Sequence, residues 1–312
     1  MRVALLVLFC GAIPAALRAE DSLTYAAART RAAFLARSSG ARASAMGGAF
    51  SAVADDASAG SWNPAGLGQI ATVDAMAVFD SPGEGMMTGY LAGALRTGPG
   101  TVGVQVTAAG YGTYTSRDVE GRNLGDLTAP QDIAAGLSWA SRLPVPGNPL
   151  FGVSAEMVRE GTGGTVPGAS AGLLVRAGKD VALGLAARHL GPSKDGFSLP
   201  AVVQGGAAWH PRDRLQVSLD GAYGLTDRLA QIAVGAEFEP HRVFVLRAGY
   251  SHMLENQELE GLTGLTAGLG FRFRGWGLDY AFQPFGELAV IHRVGLVFRP
   301  SSIWPGRALM GR

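Results

Sequence analysis

The sequence predicts an all-β fold: a transmembrane antiparallel β-barrel of about 14 strands with an N-terminal hatch or plug segment. Three observations carry that reading. Hydrophobic residues make up 47% of the 312 and charged ones only 16%, yet past the first residues no apolar run is long enough to cross a bilayer as a helix. Such a chain has one other way into a membrane, a closed barrel in which each backbone group bonds to a neighbouring strand. Segment after segment alternates apolar and polar residues with period two, and the connections between them sort by length.

The N-terminus sets the compartment. Met1-Arg2 is followed by an apolar run from Val3 to Ala16, then by Arg18-Ala19 and the acidic Glu20-Asp21. That is the order of a secretory signal peptide, so residues 1–19 are expected to be removed. The alternative is a retained anchor helix. Cys10, the only cysteine, lies inside the apolar run, behind a bulky Phe9 that does not suit a lipoprotein site. Its removal leaves no thiol for a disulfide, a metal or catalysis. It also leaves 24 basic against 25 acidic residues, a balance that does not favour nucleic acid as a partner.

Residues 20–71 do not alternate. Leu23 to Arg37 is alanine-rich and reads as a short helix. Small residues dominate from Gly40 to Gly68, with a Gly47-Gly48 pair and a turn signal at Asn63-Pro64. Small side chains suit a segment threaded through a barrel lumen, where wall and backbone nearly touch. A periplasmic lead-in that packs nowhere is the alternative.

The barrel is expected over 72–299. Its strands are read at 72–80, 86–96, 101–110, 132–142, 150–160, 169–177, 181–190, 200–209, 214–222, 229–239, 242–251, 263–273, 275–283 and 289–299. Leu265, Ala267, Leu269, Phe271 and Phe273 oppose Thr266, Gly268, Gly270, Arg272 and Arg274, and Trp276, Leu278, Tyr280 and Phe282 oppose Gly277, Asp279, Ala281 and Gln283. Apolar residues face lipid in such a barrel, and the polar set faces the lumen. That set is Glu156, Arg176, Arg188, Gln216, Asp220, Glu237, Arg247, Arg272, Asp279 and Arg293. Mutual neutralisation that braces the lumen against the hatch is one role for these charges. Holding a carboxylate-headed ligand through arginine is the other.

Connections after even strands are short, as at Thr97 to Gly100 or Pro240-His241, whereas Tyr111 to Gln131, Gly161 to Gly168, Gly191 to Leu199 and His252 to Leu262 are longer. Outer-membrane barrels show this alternation of short periplasmic turns and long outer loops. Trp139, Trp209, Tyr223, Tyr250, Trp276 and Tyr280 lie near strand ends, as interface girdles require. Residues 300–312 form an expected C-terminal periplasmic extension.

Two blocks carry a family resemblance. Arg42, Met46-Gly47-Gly48, Asp55-Asp56 and Asn63-Pro64-Ala65-Gly66-Leu67 resemble the N-terminal signature of PorV/PorQ-type outer-membrane proteins, relatives of the FadL long-chain fatty-acid transporters. Leu278-Asp279-Tyr280-Ala281-Phe282 with Pro284 to Leu288 and His292-Arg293-Val294 is similar to the closing hairpin of the same group. The resemblance implies a bacterial outer-membrane barrel of 14 strands, lipids around it, and a hatch in which Arg42, Asp55 and Asp56 pair with lumen charges. It further implies uptake or presentation of a hydrophobic molecule such as a fatty acid or, in the PorV manner, partnership with type IX secretion proteins. The sequence departs in continuing fourteen residues past Phe298, where many such barrels end on an aromatic.

Catalytic signals are weak. Gly168-Ala-Ser170-Ala-Gly172 matches a nucleophile pattern that requires a strand, a strained turn and a helix, but an apolar strand follows it. Ser170 with His189 or His210 is therefore discounted, and no catalytic residue or cofactor is expected. His189, His210, His241, His252 and His292 stand singly, without metal-ligand spacing, and read as interfacial or solvated. Asp55-Asp56 lacks the oxygen-rich loop of a calcium site.

Overall fold

Alternation along the chain becomes a wall with two faces. In the computed structural model, residues 30–300 are described, apart from 38, 84, 162, 255–262 and 286–288. The expected signal peptide and residues 301–312 lie outside the described residues. The first strands are β1 (Val73–Gly83), β2 (Met86–Arg96), β3 (Thr101–Gly110), β4 (Thr113–Arg117), β5 (Asn123–Thr128), β6 (Asp132–Arg142), β7 (Leu150–Arg159) and β8 (Thr165–Arg176). The others are β9 (Val181–Leu190), β10 (Val202–Arg212), β11 (Leu215–Gly224), β12 (Ala230–His241), β13 (Phe244–Met253), β14 (Leu265–Phe273), β15 (Trp276–Phe285) and β16 (Ala289–Phe298).

All except β4 and β5 form one closed antiparallel barrel of 14 strands, each paired with its neighbour in order. Closure is made by β1 on β16, from Ala75 opposite Phe298 to Ser81 opposite His292. The pleat then decides which side each residue takes. In β14, Leu265, Leu269, Phe271 and Phe273 are exposed on the outside, while Thr266 and Arg272 are buried within. Trp139, Trp209, Tyr250 and Trp276 also face outward. Among the described residues no helix is long and apolar enough to cross a membrane.

Three elements differ from expectation. β8 begins at Thr165 rather than 169, which shortens the loop before it. Pro167 is tolerated there because it pairs with Met157 of β7, whereas pairing with β9 begins only at Ala169, so its missing N–H breaks no ladder bond. The segment from Tyr111 to Gln131 contains the hairpin β4–β5, in register from Thr113 opposite Thr128 and almost wholly exposed. The helix expected over Leu23 to Arg37 is, in its described part, only a 3-10 turn at Ala33–Ala36. Tertiary packing overrides alanine propensity there: Phe34 and Leu35 are buried against wall residues such as Val158 and Val166.

The core lies inside the barrel. Residues 30–70 run from the end with the longer loops, where Arg31 bonds to Ser198 and Glu160, toward the end with the short turns, where β1 starts. On the way they form two short helices, α1 (Ala41–Ala45) and α2 (Ala59–Trp62), and a 3-10 turn at Pro64–Gln69. Met46, Phe50, Val53 and Leu67 are at most 1% exposed and pack in one cluster with inward residues of the wall such as Met76, Val78, Tyr90 and Val297, so the segment and the wall build the hydrophobic centre together.

Candidate functional site

The inner wall is cut away to receive the hatch. A Cβ added to Gly184 of β9 would lie 2.2 Å from the Ser51 carbonyl oxygen, and one on Gly249 of β13 would lie 2.2 Å from the Met46 carbonyl carbon. Gly152 and Gly235 stand in the same relation to the backbone at Pro64 and Met46, while Gly172 and Gly268 make room for the side chains of Asn63 and Ala45. Backbone thus meets backbone around much of the lumen, which is the use of a residue without a side chain. The hatch answers with its own small residues: Gly47 and Gly48 turn the chain at φ 66° and 82°.

Polar wall residues bond the hatch backbone at each level. The Asp220 carboxylate accepts from the N–H groups of Phe50 (3.1 Å) and Ser51 (2.7 Å), and Ser218 Oγ donates to the Ala49 carbonyl. Thr266 donates to Ala45, Gln204 to Trp62, and Arg188 to Ser61. Within the hatch, Asn63 accepts from Ala65 N–H and donates to the Ser51 carbonyl at 2.7 Å and to Leu173 of the wall at 3.2 Å. Buried amides and carbonyls cannot be left unpaired cheaply, so these contacts fix the depth and rotation of the segment.

Arg42 is the electrostatic centre. Its Nε and one terminal nitrogen reach the two oxygens of Glu237 at 2.8 and 2.9 Å, and its other nitrogen reaches Asp55 at 2.5 Å and Asp56 at 3.4 Å. Burial opposes the charge on Arg42, but the facing Asp55 and Glu237 carboxylates outweigh it and hold the guanidinium pKa above its ordinary value. Burial raises the Asp55 carboxyl despite the pull of Arg42. The chain of charges continues along the wall: Glu237 to Arg247 (2.6 Å), Arg247 to Asp279 (2.6 Å), Asp279 to Arg272 (2.6 Å). Arg299, just past β16, bonds Asp74 and the Asp55 carbonyl.

A second polar group lies nearer the end with longer loops. Pairing between β8 and β9 shifts between Ala169 and Ala171, and His189 adopts φ 55°. This bulge breaks the alternation of β9: Arg188 is half-buried and His189 is buried. The His189 Nδ1 lies 2.6 Å from Glu156, its backbone N–H donates to Ser170 Oγ, and Arg188 stacks on Trp62 at 5.0 Å.

Of the sequence-derived lumen set, Glu156, Gln216, Asp220, Glu237, Arg247, Arg272, Asp279 and Arg293 are buried. Arg176 is not: as the last residue of β8 it is exposed at the short-turn rim. Two histidines correct the expectation of a solvated set, since His189 is buried on Glu156 and His210 on Gln216. Ser170 sits inside β8, a continuous strand, so the nucleophile turn is missing. Asp74 and Asp80 were not singled out, although both lie on one face of β1 six residues apart; Asp80 accepts from Arg293 at 2.7 Å and from Arg37 at 2.5 Å. Arg299 lay beyond the pattern altogether.

Neither the protein-family models nor the curated proteins match this chain. Solved structures do. The toluene transporter TodX of Pseudomonas putida superimposes with a TM-score of 0.58 at 15% identity, over 84% of this chain and 97% of its own. A FadL homologue of Pseudomonas aeruginosa gives 0.57 at 11% identity, over 85% and 99%. The monoaromatic hydrocarbon channel CymD gives 0.56 at 14% identity, over 83% and 97%. At these identities what is shared is the fold, the closed 14-strand barrel.

Proposed function

We propose that this chain is an outer-membrane channel for hydrophobic molecules, non-catalytic, and closed in this structure by its own hatch. The observation that carries the reading is the seat of residues 40–70: a segment held across the lumen by buried ion pairs and backbone contacts, inside a wall whose outer face is apolar. Such a wall suits contact with membrane lipid. A permanent plug would need no charged latch, since apolar packing fills a core at lower electrostatic cost. Support also comes from the fold shared with a toluene transporter and a hydrocarbon channel. A fatty acid is the larger ligand of the same class.

Reconstituted in liposomes, the protein is expected to take up labelled toluene and a labelled long-chain fatty acid faster than protein-free vesicles, saturably with concentration. Uptake no faster than in empty vesicles defeats the proposal. The second reading, a type IX secretion component of PorV type, draws on the hairpin β4–β5, which stands clear of the barrel with Tyr114, Leu124 and Leu127 exposed. The hairpin would there serve as a docking surface for secretion-system proteins.

A further inference from the structure

The six turns at the short-turn end share a charge. Each carries or adjoins an exposed cation: Arg96, Arg142, Lys179, Arg212, Arg242 and Arg274, in chain order. Arg176 and Arg214 add two more. Against them stand two exposed acids, Asp180 and Asp213, and the half-buried Glu239. The other end is balanced. In the described parts of its loops Arg117 and Arg122 stand among Asp118, Glu120 and Asp126, Lys194 beside Asp195, and Arg228 beside Asp227. An excess of one sign gathered on one rim repels itself and attracts counter-charge from outside the chain.

Aromatic rings mark the depth of this rim. Trp139, Trp209, Phe273 and Trp276 are exposed on the outer face, each within three residues of the end of its strand. Such rings settle at the level of lipid headgroups. The Arg274 guanidinium lies 5.2 Å from the centre of the Phe273 ring, which draws it onto the outer, lipid-facing side. An arginine stem can lie along apolar surface in this way while its head stays among polar groups. Arg214 donates to the Pro240 carbonyl of the next turn at 3.3 Å, so it lies along the rim. The acceptor found at headgroup depth is the phosphodiester, and the guanidinium fork matches two of its oxygens. A protein partner would cover one sector of the rim, whereas cations on all six turns fit a partner that surrounds the barrel.

We propose that this rim is a binding surface for anionic phospholipid headgroups, which the turn cations gather around the short-turn end of the barrel. The surface rests on the membrane reading alone and is independent of what passes through the lumen.

The test uses the tryptophans of the rim as reporters. The purified protein is inserted into phosphatidylcholine vesicles in which part of the lipid has brominated chains, on either a phosphatidylglycerol or a phosphatidylcholine headgroup. Bromine quenches the fluorescence of tryptophans that it reaches, and Trp139, Trp209 and Trp276 face outward here. Brominated phosphatidylglycerol is expected to bind beside them about fivefold more tightly than brominated phosphatidylcholine, the factor that one cation near an anionic surface supplies. Salt at about 1 M, where the screening length is about 3 Å, should shrink that ratio. In the combined variant Arg142→Gln, Arg212→Gln, Arg242→Gln and Arg274→Gln the ratio should fall toward one. The pair Arg117→Gln and Arg122→Gln, at the other end, should leave it as in the parent. Equal quenching by both lipids in the parent overturns the proposal and leaves the rim to an acidic protein. So does a ratio unchanged in the fourfold variant, or one lost in the hairpin pair. Quenching by neither lipid overturns the membrane reading with it.

Discussion

Arg42→Met is expected to unseat the hatch. The substitution keeps an unbranched apolar stem but removes the cation shared by Glu237, Asp55 and Asp56, all of them buried. Breaking a buried ion pair from one side typically costs about 3–5 kcal/mol, because the abandoned charge stays out of water. The barrel ladder contains no hatch residue, so the weaker contact is the one between hatch and wall. Planar-bilayer recordings should then show openings that the parent lacks, and protease should cut within residues 40–68 while the barrel stays intact. Adding Glu237→Gln should restore part of the closure, since it neutralises one stranded carboxylate. A variant as quiet and as protease-resistant as the parent would mean that Arg42 does not hold the hatch.

The second large effect is steric. Gly249→Val places a Cβ 2.2 Å from the Met46 carbonyl carbon and 2.3 Å from Gly47 N, and both are backbone atoms that no rotamer change can move. Gly47 has little freedom to yield, being itself at φ 66° with the backbone of Tyr250 about 2.9 Å from its own Cβ position. Valine suits a strand, so β13 is expected to form and the barrel to keep its heat-modifiable migration on a gel. What gives way is the hatch, and the recordings should show a permanently open pore. Ala248→Val, one residue along and on the exposed outer face, supplies the control and should behave as the parent. Equal closure of both variants would place the hatch backbone away from β13.

The wall was legible in the sequence because lipid and lumen impose opposite demands on successive residues. Leu265 to Phe273 alternates without a fault and was placed to within two residues. β1 was harder: Asp74, Met76, Val78 and Asp80 share its inner face, so apolar residues occupy both sides and the period blurs. The hatch motif drew attention through its small residues, but its partners could not be read. Gly184 and Gly249 look in sequence like any strand glycine; only the chain crossing in front of them explains the missing side chain. The bulge at Arg188-His189 has no sequence mark, since it arises from a register shift against β8. That shift turned an expected surface histidine into a buried one.

A disulfide between hatch and wall tests the central claim most directly, that solutes pass only when the hatch moves. Ala41 of α1 and Gly295 of β16 suit it, because a Cβ on Gly295 would lie 3.5 Å from that of Ala41, within reach of a disulfide. The single natural cysteine is Cys10, within the expected signal peptide, so no other thiol competes in the mature chain. With Ala41→Cys and Gly295→Cys combined, oxidation is expected to form the bond and stop hydrocarbon uptake into liposomes, and reduction to restore it. Uptake at the parental rate with the bond demonstrably formed would contradict the account.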